Sequence, residues 1–169
     1  QSGCKEIWIT SNDTGAYMVE QGGKQKLVEL LEQVLSIPMD FKLRVGMMNP
    51  GNTITILNDI ITIYKHPKMF KFLHIPLQSG NNSMLMLMNR RYAIEDFVHV
   101  VESFRKEIPE ITISTDIIVG FPSESEQQFE DSLNIIKKIR PEVLNLSRYA
   151  SRDGTIAAKM KQLATNTLK

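Results

Sequence analysis

Short apolar segments rich in β-branched residues recur along this chain at intervals of about 30 to 40 residues. Five such segments occur, at residues 5–10, 41–46, 70–75, 111–120 and 142–147. Their hydrophobicity is continuous rather than alternating, which is typical of strands buried on both faces of a parallel sheet. The spacing therefore predicts five parallel strands.

Helical patterns fill the intervals between the predicted strands. Apolar residues recur there at a period of about 3.6, over residues 27–34, 56–60, 94–101 and 129–136. Ser123 and Glu126 have the spacing of a capping box, which predicts the start of the helix over residues 129–136. Strands alternating with helices predict an α/β fold of βαβ units. Five strands do not close an eight-stranded barrel, so an incomplete barrel and a doubly wound sheet both remain open.

The composition excludes several classes of protein. Of 169 residues, 42% are hydrophobic and 23% are charged, which is ordinary for one globular domain. No apolar run approaches the length of a membrane span, and no signal peptide is recognisable, so we expect a cytoplasmic protein. The net charge of +1 is too small to indicate nucleic-acid binding by steering alone.

Cys4 is the only cysteine, which excludes an internal disulfide. An iron–sulfur cluster or a cysteine zinc site needs three or four thiolates, so the chain cannot hold one by itself. His74 has no second histidine at ligand spacing and is a weak metal candidate. We therefore predict neither metal ligands nor a catalytic residue.

Polar segments follow every predicted strand. They lie at residues 10–17, 46–52, 76–82, 120–126 and 147–155. In parallel α/β folds, ligands bind at the carboxyl ends of the strands. The sequence therefore predicts a functional face at that edge of the sheet.

The first of these segments offers Ser11, Asn12 and Asp13, whose hydroxyl, amide and carboxylate could hold an amino or hydroxyl group of a ligand. A helix cap or an Asx-turn is an equally good interpretation, since these residues favour turns for local reasons.

In the third segment, Gln78 and Ser79 could bind a ribose or an amide, and Gly80 would let the backbone approach a ligand. A simple turn is the alternative. The methionine-rich run at 84–88 is interpreted as core, because methionine runs more often fill cores than bind cofactors.

Asp116 lies inside an apolar strand, where a carboxylate is costly unless it is paired. Thr112, Ser114 and Asp116 share one face of that strand, because side chains alternate between faces. This polar row predicts a lined cavity.

In the last segment, Arg148 and Arg152 flank Tyr149, and arginine suits a carboxylate, a phosphate or a stacked base. Surface ion pairing is the alternative there.

Together the strand-end segments resemble, in order, the radical S-adenosylmethionine domain of the tRNA methylthiotransferase family. The blocks are GCKEIWITSNDTGAY, LRVGMMNP, FLHIPLQSGNNSMLMLMNRRY, ISTDIIVGFPSESEQQF and SRYASRDGTIAAKM. They are most similar to the archaeal and eukaryotic group that acts on threonylcarbamoyladenosine. The resemblance covers nearly the whole chain.

The resemblance implies a partial (βα) barrel of six strands, two 4Fe-4S clusters and S-adenosylmethionine. It implies a methylthio group added at carbon 2 of a modified adenosine beside the tRNA anticodon. One cluster of the family is held by a CxxxCxxC loop after the first strand and the other by an upstream domain. A basic RNA-binding domain normally follows the barrel.

The sequence departs from the family at several points. CxxxCxxC is missing, so we expect strands two to six of the barrel, without the first βα unit, the N-terminal domain, the cluster loop or the RNA-binding domain. The fragment is then expected to bind no cofactor and to be inactive alone. Met18 and Ser123 also stand where the family has glycine.

Carried over residue by residue, the resemblance implies contacts with four parts of the cofactor site. Ser11, Asn12 and Asp13 would meet the amino-acid end of S-adenosylmethionine, and Gln78 and Ser79 its ribose. The adenine would lie against Asp116, Ile118 and Gly120. The mouth of the site, near the methionine carboxylate or RNA, would hold Arg148, Tyr149 and Arg152.

Two other functions remain open. One is a cluster-free (βα) lyase or aldolase that binds a small anionic metabolite, although its Schiff-base candidates, Lys65 and Lys71, would lie on the wrong face. The other is a non-catalytic RNA-binding module, which the neutral charge argues against.

The first predicted strand also bears on association. Without a preceding βα unit, residues 5–10 would form a sheet edge with Ile7 and Ile9 on one face and Trp8 on the other. Exposed apolar edges recruit other chains, so we expect self-association through this strand.

Overall fold

A computed structural model describes residues 3–19 and 25–160. The strands are β1 (Glu6–Ile9), β2 (Lys42–Val45), β3 (Phe72–His74), β4 (Thr112–Val119) and β5 (Val143–Arg148). The α-helices are α1 (Leu27–Leu35), α2 (Pro50–Thr53), α3 (Leu57–Tyr64), α4 (Asn82–Leu87), α5 (Ile94–Glu107) and α6 (Glu126–Ile139). Short 3-10 helices cover Thr14–Ala16, Ile54–Ile56 and Ala157–Lys159.

Every predicted strand segment contains a strand, and all paired strands are parallel, which confirms the α/β prediction. β1 pairs with β2, β3 pairs with β4, and β4 pairs with β5. A bridge between Leu43 and Met69 joins β2 to the residues that lead into β3. Strands that follow one another in sequence are thus neighbours in space.

One apolar core lies between the helices and one face of the sheet. Leu43 of β2, Leu73 of β3 and Ile113 of β4 are fully buried against helical residues such as Leu31 and Phe97. Each fully buried side chain of this kind contributes about 1.5 to 3 kcal/mol through the hydrophobic effect. The four predicted helical patterns correspond to α1, α3, α5 and α6, which are confirmed.

The other face of the sheet carries polar and aromatic residues, because side chains alternate along a strand. Trp8, Arg44, Phe72, His74 and Asp116 all lie on this face, and none of them is fully buried. We call it the polar face.

The expectation that all strands are buried on both faces is wrong for β5, whose six residues are exposed, and for β1, none of whose four residues is buried. The described helices cover the core side of β2, β3 and β4, whereas Leu144 and Leu146 of β5 remain 42% and 64% exposed.

Two local predictions need correction. The capping box of α6 is formed by Ser125 and Gln128, because Ser123 lies in the preceding turn with φ of 67°. The methionine-rich run forms α4, which buries Met84 but leaves Met86 72% exposed, so the interpretation as core holds for only part of it. Within the described residues, no helix is long and apolar enough to cross a bilayer.

Candidate functional site

The loops that follow the five parallel strands lie at the same edge of the sheet, as predicted. The loop after β1 contains Ser11 and Asn12, which are exposed, and Asp13, which is half-buried. One Asp13 carboxylate oxygen accepts a hydrogen bond from the backbone N–H of Asn49 (2.9 Å), and the other accepts from Asn52 Nδ2 (2.8 Å). Asp13 therefore ties the loop after β1 to the start of α2.

This tie differs from the helix cap or Asx-turn that the sequence also allowed for Asp13. Asp13 precedes the 3-10 helix Thr14–Ala16 at the N-cap position, yet its side chain makes no capping hydrogen bond there. Each carboxylate oxygen accepts one hydrogen bond, and a carboxylate has about four acceptor sites, so Asp13 can still accept from a ligand's amino group.

Thr14 is a polar residue at this edge that sequence reasoning missed. It is 4% exposed, and its hydroxyl oxygen has no hydrogen-bond partner among the described residues. A Cβ added at Gly46, at the end of β2, would lie 3.2 Å from that oxygen. Buried hydroxyls usually find a partner, so the Thr14 hydroxyl, unpaired among the described residues, is an exception beside the candidate site. In the sequence, Thr14 is distinguished only by its position next to Asp13.

The loop after β3 continues the sheet ladder alongside β4. Gln78 has φ of 68°, its N–H donates to the Asp116 carbonyl (2.7 Å), and its carbonyl accepts from the Ile118 N–H (2.9 Å). Ser79 is fully buried, and its hydroxyl accepts from the Asn81 N–H (3.3 Å).

Gly80 is needed for packing against a helix, whereas the sequence suggested that it lets the backbone approach a ligand. A Cβ at this position would lie 2.4 Å from the Ser132 Cα on α6. The Gly80 N–H also donates to the Ser132 hydroxyl (2.8 Å). The interpretation of Gly80 as a residue that lets backbone meet a ligand is therefore wrong, because the space above it is filled by helix α6.

A hydrogen-bonded row crosses the polar face on three strands. His74 Nε2 of β3 lies 2.9 Å from Asp116 Oδ2, and Asn145 Nδ2 of β5 donates to Asp116 Oδ1 (2.8 Å). Burial raises the pKa of Asp116, but the hydrogen bonds from His74 and Asn145 outweigh it and hold the pKa below its usual value. Pairing explains how a carboxylate is tolerated within an apolar strand.

The turn after β4 is held by a buried carboxylate that sequence reasoning also missed. Gly120 has φ of 73°, a conformation that favours glycine, and its N–H donates to Glu124 Oε2 (2.6 Å). Glu124 is 2% exposed, and burial raises its pKa although backbone N–H groups of Gly120 and Phe121 oppose the shift. Ile118, at the end of the polar row, is half-buried.

The three residues predicted at the mouth of the site separate in the structure. Arg148 and Arg152 are exposed, and neither side chain is paired within the described part of the chain. Tyr149 folds back instead: its N–H donates to the Val119 carbonyl (2.8 Å), and its ring packs edge-on against Phe121 at 5.1 Å. The Tyr149 hydroxyl is buried without a partner among the described residues.

The lysines of the lyase alternative lie at the opposite, amino-terminal edge. Lys65 pairs with Glu107 (2.6 Å). Lys71 donates to the carbonyls of Tyr64 and His66, and burial lowers its pKa. Because both ammonium groups are already engaged away from the strand ends, neither is placed for a Schiff base with a ligand there.

Metal-binding chemistry is limited by the residues present. No group of three or more His, Cys, Asp or Glu residues in ranges 3–19 and 25–160 is arranged to hold a metal ion. Cys4 is exposed and precedes β1, at the edge of the sheet opposite the candidate site. A single thiolate does not fit an iron–sulfur cluster.

A polar groove lies away from the strand ends. It lies between α3 and α5, has a volume of about 370 Å³, and is lined by polar residues such as Thr62, Ser103 and Lys106. No residue at a strand end lines it, so it is separate from the candidate site.

Parallel βα units with polar loops at the carboxyl edge agree with the sequence family to which the chain belongs. Residues 1–136 match the model of the Radical SAM superfamily, and the chain is a member of that superfamily. The fold agrees with that of Escherichia coli coproporphyrinogen III oxidase (HemN), a radical SAM enzyme. Their TM-score is 0.64 at 19% identity, over 83% of this chain and 33% of that one.

Within the superfamily, the chain is similar to threonylcarbamoyladenosine tRNA methylthiotransferases. It is 48% identical over 163 residues to a probable enzyme of this name from Pyrococcus horikoshii, covering 96% of this chain and 38% of the relative. It is 44% identical over 168 residues to the enzyme of Drosophila melanogaster, covering 99% of this chain and 30% of the relative. The chain thus spans about a third of the length of these curated relatives.

Proposed function

We propose that this chain is the S-adenosylmethionine-binding core of a tRNA methylthiotransferase that acts on threonylcarbamoyladenosine. The observation that carries the proposal is 44 to 48% identity over at least 96% of the chain to archaeal and insect relatives of that name. The product is expected to bear a methylthio group at carbon 2 of the modified adenosine, beside the anticodon.

The strand-end residues fit S-adenosylmethionine, which supplies a methyl group when bound. The loop after β1 would receive the amino-acid end through Ser11, Asn12 and Asp13, and the tie to α2 would hold Asp13 in place. The polar loop around Gln78 and Ser79 would receive the ribose, as the resemblance implies.

The adenine is proposed to lie between two further loops. Ile118 offers apolar surface at the end of β4, and Gly120 has no side chain to obstruct a flat base. Asp116 stands below them on the polar face, where His74 and Asn145 hold its carboxylate. Arg148 and Arg152, whose side chains are exposed, are free to meet an anionic group or RNA, and Tyr149 would form the wall behind them.

An iron–sulfur cluster does not fit the described residues, because Cys4 is one thiolate at the wrong edge. We therefore propose that the cluster ligands of the complete enzyme lie outside residues 1–169. The two clusters and the flanking N-terminal and RNA-binding domains implied by the resemblance belong to this proposal, as does the inactivity of the fragment.

We further propose that the sheet is part of a (βα) barrel that contains strands two to six of the six. Consecutive strands are parallel neighbours, and the apolar core lies on one face of the sheet. A doubly wound sheet would instead have helices on both faces. With tRNA as substrate, we place the enzyme in the cytoplasm.

Nucleoside mass spectrometry of tRNA tests this function. Deleting the gene is expected to abolish 2-methylthio-threonylcarbamoyladenosine and leave threonylcarbamoyladenosine in its place, and the reintroduced gene should restore the product. Loss of a methylthio group from an isopentenyl-modified adenosine instead would show that the substrate is different. An unchanged tRNA profile would contradict the proposal.

A further inference from the structure

The polar face carries a cation that the proposed cofactor contacts do not use. Arg44 of β2 lies over two aromatic rings, with its Cζ 4.5 Å from the centre of the Trp8 ring and 4.0 Å from the centre of the Phe72 ring. Trp8 and Arg44 are register partners in the β1–β2 pair, and Phe72 comes from β3. Three neighbouring strands thus build this cluster, which we call the Arg44 stack.

The two rings contact the guanidinium carbon and leave the N–H donors available. A guanidinium carries five N–H donors in one plane, and a cation–π contact uses none of them in a hydrogen bond. Within the described residues, no hydrogen bond or ion pair joins the Arg44 side chain to another group. Glu6, on the same strand as Trp8, instead accepts a hydrogen bond from Trp8 Nε1.

Two aromatic rings also restrict the movement of the guanidinium. A cation over an aromatic ring is attracted by the ring quadrupole, and here two rings contribute. A pre-oriented guanidinium loses little side-chain entropy on binding, and its fork matches the two oxygens of a carboxylate. The Arg44 stack therefore has the geometry of a carboxylate-binding site.

We propose that the Arg44 stack binds the carboxylate of the threonylcarbamoyl group on the substrate adenosine. This inference rests on the proposed function, because that substituent carries an α-carboxylate that is ionised at neutral pH. His74 lies on the same face of β3 two residues beyond Phe72, so the stack adjoins the hydrogen-bonded row of His74, Asp116 and Asn145. That row offers hydrogen-bonding partners for the polar atoms of the same substituent.

Fluorescence of Trp8, the only tryptophan in the chain, reports directly on the stack. Threonylcarbamoyladenosine is expected to change the emission saturably, whereas adenosine and the methyl ester of threonylcarbamoyladenosine should not. S-Adenosylmethionine, which also has a carboxylate, and 5′-methylthioadenosine, which has none, form the second arm. A response to S-adenosylmethionine alone would assign the site to the methionine carboxylate and overturn the proposal.

Calorimetry on variants distinguishes loss of the Arg44–carboxylate contact from a general change in packing. Arg44→Gln is expected to weaken threonylcarbamoyladenosine binding about tenfold and to leave ester binding unchanged, as for loss of one charge-assisted contact. Arg44→Lys should recover only part of the affinity, because lysine lacks the planar fork. Lys137→Gln, an equal charge change at an exposed position of α6, is the control and should bind like the wild type.

Equal binding of acid and ester by the wild-type chain would overturn the proposal even if Arg44→Gln failed to fold. Complementation of the gene deletion distinguishes failure of the Arg44 proposal from failure of the proposed function. If the wild-type gene does not restore the methylthio nucleoside, the function is wrong. If the wild-type and Arg44→Gln genes restore it equally, only the role of Arg44 is wrong.

Discussion

Nε2 of His74 lies 2.9 Å from Oδ2 of Asp116, and this contact joins two neighbouring strands through side chains as well as through backbone. It places a titratable ring against a carboxylate that would otherwise be unpaired within an apolar strand. The pair explains why ITISTDIIVG can form a largely buried strand and still contain an aspartate.

Asp116→Asn is expected to lower the free energy of unfolding at pH 7 by about 1 to 2 kcal/mol, because it weakens hydrogen bonds to a charged group. The folded-state pKa of Asp116 is below its usual value, so its stabilisation is present above the ordinary pKa of aspartate and is lost as pH falls through the folded value. The wild type should therefore lose more stability than the variant below about pH 4.

Urea denaturation at pH 7, 4 and 3 measures this difference. Glu102→Gln, at an exposed position of α5, is the matched control and should leave the acid dependence unchanged. Parallel acid profiles for the wild type and Asp116→Asn would mean that Asp116 is not held in its ionised form.

Ser123→Gly is expected to stabilise the chain by about 1 kcal/mol, since Ser123 has φ of 67°, which favours glycine. Ser123 is exposed and its side chain makes no hydrogen bond among the described residues, so little is lost. Ser123→Ala keeps the strain and should give no gain. Thermal unfolding of the two variants is the measurement, and equal melting temperatures would argue against backbone strain at this turn.

Gly80→Ala is expected to destabilise the chain by about 3 kcal/mol, because the new methyl group would lie 2.4 Å from backbone of α6. Ser132→Ala removes only the hydroxyl that accepts from the Gly80 N–H and should cost about 1 kcal/mol. Equilibrium denaturation measures the free energy of unfolding of both variants. A mild effect of Gly80→Ala would show that the loop after β3 can move away from α6.

The β1 edge is expected to mediate self-association of the chain. The carbonyls of Lys5 and Ile9 accept hydrogen bonds from β2, so the alternating backbone groups of Glu6 and Trp8 point to the other side. Glu6→Pro removes one of those edge N–H groups at the first residue of the strand, where proline is tolerated.

Sedimentation velocity should show the wild type as an oligomer and Glu6→Pro shifted toward monomer, while Glu6→Ala behaves like the wild type. A monomeric wild type at high concentration would contradict association through this edge.

Anaerobic reconstitution with iron and sulfide is expected to leave the chain colourless, because Cys4 supplies one thiolate where a cluster needs three or four. Cys4→Ser should give the same absorption spectrum as the wild type. Stoichiometric iron with visible charge-transfer bands in the wild type would show that another ligand set exists.

The sequence predicted the strands and four main helices because hydrophobic period and strand spacing are local properties. The polar row at Asp116 was also predictable, since a carboxylate in an apolar strand must find a partner. Its partners were not, because His74 and Asn145 lie 42 and 29 residues away along the chain. Glu124 and Thr14 were not predicted for a similar reason. Both lie in polar loop segments, and only tertiary packing buries them.

The contacts of Asp13 across two loops affect how a ligand would be received. Because one carboxylate holds both the turn after β1 and the first residues of α2, these segments are ordered together before anything binds. Preorganisation of this kind reduces the conformational entropy lost on association. Substituting Asp13 would release both segments, and the resulting loss of ligand affinity would appear in calorimetry as a larger entropic penalty.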